Sequence, residues 1–161
     1  MDMAMQALTV FALLGSALIA GVFFAFSSFI MKALAQRPAP EGMAAMQAIN
    51  VTVINPAFLG AFMGTAGLSL LLGVAALLGA GDLNQAWLAC GAAAYFVGTF
   101  GVTVAGNIPM NNALEKANPD SSEGQGLWQD YLVRWTRFNT LRTLAALVAA
   151  ACFLAALTST G

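Results

Sequence analysis

The chain has 161 residues, of which 60% are hydrophobic and only 8% are charged, against about 25% charged residues in an average soluble domain. The chain has six Lys or Arg residues and seven Asp or Glu residues, so it lacks the basic face that a nucleic-acid-binding protein needs. It has no His, which excludes serine–histidine triads and His-ligated haem or copper. This composition is typical of a small integral membrane protein.

The first apolar segment is predicted to cross the membrane as a helix near residues 5–31. Residues 3–31 carry no charge, and about 20 apolar residues are enough to cross the hydrocarbon core. A cleaved signal peptide is the alternative, since Ala33-Leu34-Ala35 loosely fits a small-x-small cleavage site. However, Asp2 stands where such a peptide carries a basic residue, and the apolar run is about twice the usual length. We therefore expect the segment to be retained.

The connection over residues 32–54 is predicted to contain a short helix. Pro38 and Pro40 prevent the whole connection from being helical. After them, Met43 and Met46 begin a series of apolar residues at helical spacing. The pattern favours a short helix along the cytoplasmic interface of the membrane.

The second and third apolar segments are predicted to form an antiparallel hairpin of helices near 55–80 and 85–107. Only a short polar turn separates them. The motif Gly60-x-x-x-Gly64, followed by Gly67, favours close packing of the second helix against a neighbour. Pro109 and the residues just before it are expected to break or kink the third helix.

The fourth segment is predicted to cross the membrane near 139–158, and no helix breaker precedes it back to residue 123. A helix over 123–158 would be about 54 Å long, which exceeds the thickness of the bilayer core. Its first half is therefore expected to lie along the membrane surface or to project into the cytoplasm. Three- and four-residue steps place five large or polar side chains on one face of this helix: Trp128, Tyr131, Trp135, Asn139 and Arg142.

These segments predict an all-α protein, a single transmembrane domain over 1–161. Its architecture is an integral membrane four-helix bundle with short interfacial helices on the cytoplasmic side. All six basic residues lie in the connections 32–54 and 108–138 or at the start of the fourth span. Because basic residues concentrate on the cytoplasmic side, we expect these two loops to be cytoplasmic and both termini to lie outside the inner or plasma membrane.

Polar residues are concentrated at the expected cytoplasmic end of the bundle. One interpretation is that they only cap helices, end helices or reach lipid phosphate. The other is that they converge on a pocket between helices, where amides, a guanidinium and aromatic rings suit a flat phenolic or carbonyl-bearing ligand. The polar pocket candidates are Ser27, Ser28, Asn50, Thr52, Asn55, Asn107, Asn111, Asn112, Asn139 and Arg142. The wall candidates are Trp135 and the three rings Phe23, Phe24 and Phe26, of which at least two are expected to face lipid.

The sequence predicts neither a metal site nor a bound cofactor. Cys90 and Cys152 are isolated in apolar segments, and the acidic residues lie in or near loops without ligand spacing. The expected partners are a small aromatic or lipophilic molecule and membrane lipid, not nucleic acid, and a homo-oligomer is left open.

Four segments carry a resemblance to a known family: 21–29 (GVFFAFSSF), 46–50 (MQAIN, followed by Asn55-Pro56), 107–111 (NIPMN) and 135–142 (WTRFNTLR). Over essentially the whole chain the sequence resembles the anthrone oxygenase family of small four-helix membrane proteins. The resemblance implies a four-helix membrane fold. It also implies a chemistry, because fungal members of the family convert polyketide anthrones to anthraquinones with molecular oxygen and without an evident cofactor.

The resemblance also suggests catalytic roles. Arg142 and Asn139, with Asn107 or Asn111, would stabilise the enolate oxygen of the substrate, and Trp135 would stack on its rings. The other predicted binding residues are Asn50, Asn55, Phe24, Ser27 and Tyr131. Three alternatives remain open for the general base: Tyr131, Glu115 or bulk hydroxide. The rival hypothesis is a non-enzymatic membrane protein that binds lipid or quinone or packs with a partner membrane protein.

Overall fold

The structure is a computed structural model that describes residues 3–159, and these residues form five helices. Four of them are long and apolar enough to cross a membrane. These are α1 (Met3–Ala35), α3 (Pro56–Leu77), α4 (Gln85–Lys116) and α5 (Ser122–Thr158). The short helix α2 (Ala39–Thr52) follows α1. The prediction of an all-α membrane bundle is confirmed.

Side-chain caps fix where three of the long helices begin. A side-chain oxygen at the residue before each helix accepts a hydrogen bond from a backbone N–H three residues later. The capping residues are Asn55 for α3, Asn84 for α4 and Ser121 for α5. Pro56 follows Asn55 at the first helical position, where its missing N–H costs nothing.

The four long helices pack in a ring in which α1 contacts α3 and α5, and α4 also contacts α3 and α5. Small and apolar side chains fill the middle of the ring, among them Ala12, Ile19, Leu72 and Phe153. The helix α2 lies across one end and contacts α1, α4 and α5. Its Met43 and Met46 are fully buried against that end. The short helix predicted in this connection therefore exists, and it covers one end of the bundle.

The helix α4 continues through Pro109 to Lys116, beyond the end expected near residue 107. A π-helical turn over Thr103–Asn107 precedes the proline. Such a turn loosens the α-helical ladder of hydrogen bonds, so that a residue without an N–H can follow within the same helix. Two further π-helical segments lie in α4 over Ala94–Gly101 and in α1 over Phe26–Ile30. The helix α5 is continuous from Ser122 to Thr158, so its first half is not a separate segment. The short helix α2 packs against α5.

The glycine motif of α3 is not used for packing within this chain. A Cβ atom at Gly60, Gly64 or Gly67 would meet no atom of residues 3–159 within 4 Å, so the motif faces outward. The close approach between α4 and α5 depends instead on Gly98, where a Cβ would stand 2.7 Å from the Cβ of Ala145.

We therefore expect Gly98→Ala to destabilise the bundle by about 1–3 kcal/mol, because the added methyl group forces α4 and α5 apart. The measurement is the thermal unfolding midpoint of the purified protein in detergent. Gly64→Ala is the matched control and is expected to leave the midpoint close to that of the wild type. Equal midpoints for Gly98→Ala and Gly64→Ala would contradict the packing described here.

Candidate functional site

A cavity of about 300 Å³ lies at the end of the bundle that α2 covers. All five helices contribute to its lining. Its volume is at the lower end of the range of roughly 300–1,000 Å³ that small-molecule sites occupy. The aromatic part of the lining is Phe23, Phe26, Phe58, Phe62 and Trp135. The polar part is Asn50, Thr103, Asn111, Asn112, Glu115 and Arg142.

Arg142 is the most unusual member of this lining, because its residue is only 6% exposed and carries a charge. Its Nε and Nη2 atoms donate to Oδ1 of Asn139 at 3.0 and 2.7 Å. Its Nη1 atom donates to Oγ1 of Thr103 at 3.2 Å. No carboxylate of residues 3–159 comes within 4.0 Å of the guanidinium. Both hydrogen-bond partners of the cation, Asn139 and Thr103, are therefore neutral.

The donors of Arg142 are not all used. A guanidinium has five N–H groups, and three of them have acceptors within the described part of the chain. The guanidinium carbon also lies 3.7 Å from the ring centroid of Phe23 and 5.1 Å from that of Trp135. These cation–π contacts hold the group beside the cavity. Two N–H groups remain for a ligand oxygen.

Asn139 holds Arg142 in place and does not line the cavity. Its Oδ1 atom accepts both bonds from Arg142, while its Nδ2 atom donates to the carbonyl of Phe23 and to Oγ of Ser27, both at 2.7 Å. Both hydrogens and both lone pairs of the amide are thus used. Ser27 in turn lies 3.0 Å from Oγ1 of Thr140. Asn139 and Ser27 therefore form a support that joins α1 to α5.

Asn111 is the second polar group in the lining, and its orientation is fixed by two donors. Its Oδ1 atom accepts hydrogen bonds from the hydroxyl of Tyr131 at 2.8 Å and from Nε1 of Trp135 at 2.7 Å. Asn50 donates a longer bond of 3.5 Å to the same tyrosine hydroxyl. Because Oδ1 of Asn111 faces both donors, its Nδ2 group points away from them and is available to a ligand.

An aromatic column supports the wall that Trp135 forms. The ring of Tyr131 is stacked between those of Trp128 and Trp135, with centroid distances of 5.8 and 5.7 Å. The ring of Phe26 meets Trp135 edge-on at 5.7 Å. The stripe predicted along α5 is therefore one continuous face, and it is buried throughout.

Six of the ten predicted site residues lie outside the cavity lining. Ser27, Tyr131 and Asn139 support it through the contacts described above, and the other three are Asn55, Phe24 and Asn107. Asn55 caps α3, and its Oδ1 atom accepts from the N–H of Phe58 at 3.0 Å. Phe24 is 59% exposed on the outer surface of α1, because neighbouring helical residues differ by about 100° in direction and Phe23 faces inward. Asn107 is fully buried, and its Nδ2 atom donates to the carbonyl of Trp135 at 3.3 Å.

The lining also contains residues that the sequence did not single out as pocket candidates. Phe58 and Phe62 are four residues apart on one face of α3. Five residues of α4 line the cavity: Thr103, followed by Ile108, Asn111, Asn112 and Glu115 at steps of three, one and three. Asn111 and Asn112 were pocket candidates on the sequence and Glu115 a candidate base, whereas Thr103 and Ile108 were neither. The sequence shows the helical spacing of residues 108–115. They were not assigned to one helical face because the third helix was predicted to end near residue 107.

The fold and cavity define a class: a helical membrane bundle with a largely apolar cavity, lined in part by aromatic rings, in which a buried arginine has no carboxylate partner among residues 3–159. The sequence model of a protein family, described as "Anthrone oxygenase", matches residues 56–152. This match covers more than half of the chain and includes Thr103, Asn111, Trp135 and Arg142. The chain belongs to the anthrone oxygenase family, which confirms the resemblance seen in the sequence. No curated protein and no solved structure matches the chain.

The support described for Arg142 predicts a large cost for Asn139→Ala. The substitution removes two acceptor contacts of a buried cation and leaves the Phe23 carbonyl without its donor, which is expected to cost about 2–3 kcal/mol or more. Thermal unfolding in detergent measures it. Asn112→Ala is the control, since no hydrogen bond of that side chain to residues 3–159 is lost. A midpoint for Asn139→Ala equal to that of the control would contradict the supporting role.

Proposed function

We propose that the protein is a membrane oxygenase that acts on anthrone-like or other flat phenolic or carbonyl-bearing aromatic molecules and needs no cofactor. The observation that carries the proposal is the buried guanidinium of Arg142, which has neutral partners and two unused N–H groups beside an aromatic cavity. Membership of the anthrone oxygenase family supports the oxygenase class.

The charge of Arg142 favours the reactive form of such a substrate. Loss of a methylene proton from an anthrone gives a carbanion that is delocalised onto the carbonyl oxygen as a phenolate. An oxyanion gains more from a guanidinium than the neutral ketone does, especially where water is excluded. The site therefore binds the anion more tightly than the ketone, which is the condition for catalysis. The anion then reacts with molecular oxygen directly.

Other lining residues orient the ring system. Trp135 provides a flat face, and Phe58 and Phe62 are stacked 5.8 Å apart on the α3 side. Aromatic substrates pack well against such walls. The Nδ2 group of Asn111 can donate to a second substrate oxygen. Thr103 and Asn139 act by positioning Arg142.

We also propose that the cavity lies at the cytoplasmic end of the bundle, with the loops 32–54 and 108–138 in the cytoplasm and both termini outside. The six basic residues support this orientation. A reporter enzyme that is active only outside the cytoplasm is expected to be active when it is inserted near residue 83. A reporter that is active only in the cytoplasm is expected to be active when it is inserted near residue 120. The reverse pattern would overturn the orientation without affecting the proposed chemistry.

A non-enzymatic role is the second candidate, and the outward-facing glycines Gly60, Gly64 and Gly67 favour it. A smooth ridge of this kind allows close packing of another membrane helix. In that case the cavity would hold a lipid or quinone without changing it.

The test is oxygen uptake and anthraquinone formation after anthrone is added to the purified protein, with the rate in protein-free detergent subtracted. We expect Arg142→Met to lose about 10²–10³-fold in turnover, the effect of removing an oxyanion donor. Arg142→Lys keeps the charge but loses the paired bonds to Asn139, and an intermediate rate is expected.

Arg137→Met is the matched control, because this exposed arginine lies on the same helix outside the lining. Unfolding midpoints of all variants separate loss of the site from loss of the fold. Wild-type oxygen uptake no faster than the background would overturn the oxygenase proposal. Ligand binding without turnover, lost in Arg142→Met, would then favour the non-enzymatic role.

A further inference from the structure

Resting on the proposed function, we propose that Glu115 is the catalytic base that removes the methylene proton of the substrate. This carboxylate and the guanidinium of Arg142 are the two charged side chains among the residues that line the cavity. The family resemblance does not assign this role to a residue, and three alternatives were open on the sequence alone.

The geometry of α4 places Glu115 in the cavity. Ile108, Asn111, Asn112 and Glu115 lie on one face of the helix and all contribute to the lining. The neighbouring Leu114, about 100° away around the helix, is fully buried among the side chains of α2 and α5 and anchors α4 there. Glu115 itself is exposed, so it stands where the cavity opens. An exposed base can return its proton to water after each turnover.

The carboxylate is not engaged elsewhere in the described part of the chain. Two other acidic side chains have an arginine four residues away and pair with it: Glu41 with Arg37, and Asp130 with Arg134. Glu115 makes no ion pair and accepts no hydrogen bond from residues 3–159. Its four-residue neighbours are Asn111, whose oxygen faces Tyr131 and Trp135, and Pro119.

The two charges of the lining are opposite in sign and do not pair with each other. Proton removal transfers one negative charge from the carboxylate of Glu115 to the substrate oxygen, which lies beside Arg142 in the proposed complex. The charge thus moves toward the buried cation, and the low dielectric of an aromatic cavity strengthens this attraction. A lining that keeps the two charges apart is suited to a substrate that ionises between them.

Tyr131, the other side chain among the candidate bases, is less well placed. Its hydroxyl donates to Asn111, and its ring is stacked between those of Trp128 and Trp135. Tyr131 is also not among the lining residues. The sequence contains no His. No other acidic side chain is among the lining residues.

The full reaction balances with molecular oxygen as the oxidant. Glu115 takes one methylene proton, and the carbanion and oxygen form a carbon–oxygen bond. The resulting peroxide anion takes the proton back from Glu115. The carboxylate then removes the second proton from the same carbon while the O–O bond breaks, and the hydroxide that leaves is protonated to water. One CH₂ group and one O₂ thus become one C=O group and one H₂O.

The first half of this reaction can be measured without oxygen. Anthrone is incubated anaerobically with the purified protein in D₂O, and deuterium at the methylene carbon is followed by mass spectrometry above the spontaneous rate. We expect the wild type to accelerate the exchange and Glu115→Gln to lose about 10²–10⁴-fold of that acceleration. Glu115→Asp is expected to restore part of it. Glu123→Gln, in the exposed first turn of α5, is expected to exchange like the wild type.

Binding provides a readout that separates a base from a structural residue. Quenching of tryptophan fluorescence by anthraquinone, the product, is expected to be unchanged in Glu115→Gln, because the base does not hold the ring system. Exchange in Glu115→Gln equal to that in the wild type would overturn the assignment. So would the absence of wild-type exchange above background.

The outcomes distinguish this proposal from the oxygenase itself. If the wild type takes up oxygen and Glu115→Gln exchanges deuterium as fast as the wild type, the assignment of Glu115 as the base is overturned and the oxygenase proposal stands. Glu115-dependent exchange without oxygen uptake supports the base and overturns the oxygenase. The absence of both exchange and uptake in the wild type overturns both.

Discussion

A buried arginine, Arg142, has no counter-ion among residues 3–159, and this is the constraint on which the rest of the structure depends. A charged side chain at the centre of a membrane span costs about 2.5–3.5 kcal/mol, and the cost is smaller near the ends. The protein offsets this cost with neutral groups from three directions: Asn139 on the same helix, Thr103 on α4 and the ring of Phe23 on α1. The same contacts fix α1 and α4 against α5. Neutral partners stabilise the cation while leaving its charge uncompensated, and this is the property that an anionic ligand can use.

The polar network has two layers with different tasks. In the outer layer, Asn139 and Ser27 use their donors and acceptors entirely on the protein and position the guanidinium. In the inner layer, Arg142, Asn111 and Glu115 retain unused hydrogen-bonding groups and line the cavity. Gly98 lets α4 approach α5 closely at Ala145, three residues after Arg142. The division explains how a chain with very few polar residues can both hold a charge in a membrane bundle and present it to a ligand.

The membrane class, the four spans and the polar face of α5 followed from the sequence because hydropathy and helical spacing are local properties. The sequence did not show which polar residues line the cavity and which only support its lining. Asn139 and Asn111 look alike in the sequence, and only the carbonyl of Phe23 and the donors of Tyr131 and Trp135 decide which amide is saturated. Phe23 and Phe24 are likewise adjacent, and the rotation of α1 against α5 selects the inward one. The extension of α4 was missed because Pro109 is a strong helix breaker in general, whereas a π-helical turn accommodates it here. The contribution of Glu115 depended on that extension.

The central claim is that Arg142 makes the cavity selective for an oxyanion. The most direct measurement is the absorbance spectrum of 1,8-dihydroxy-9-anthrone bound anaerobically to the purified protein, compared with the same ligand bound to Arg142→Met. The account predicts that the wild type binds the ligand with the spectrum of its anion at a pH where the free ligand is neutral, and that the variant binds it as the neutral form. A neutral spectrum in both proteins would contradict the account, because the buried charge would then have no influence on the ligand.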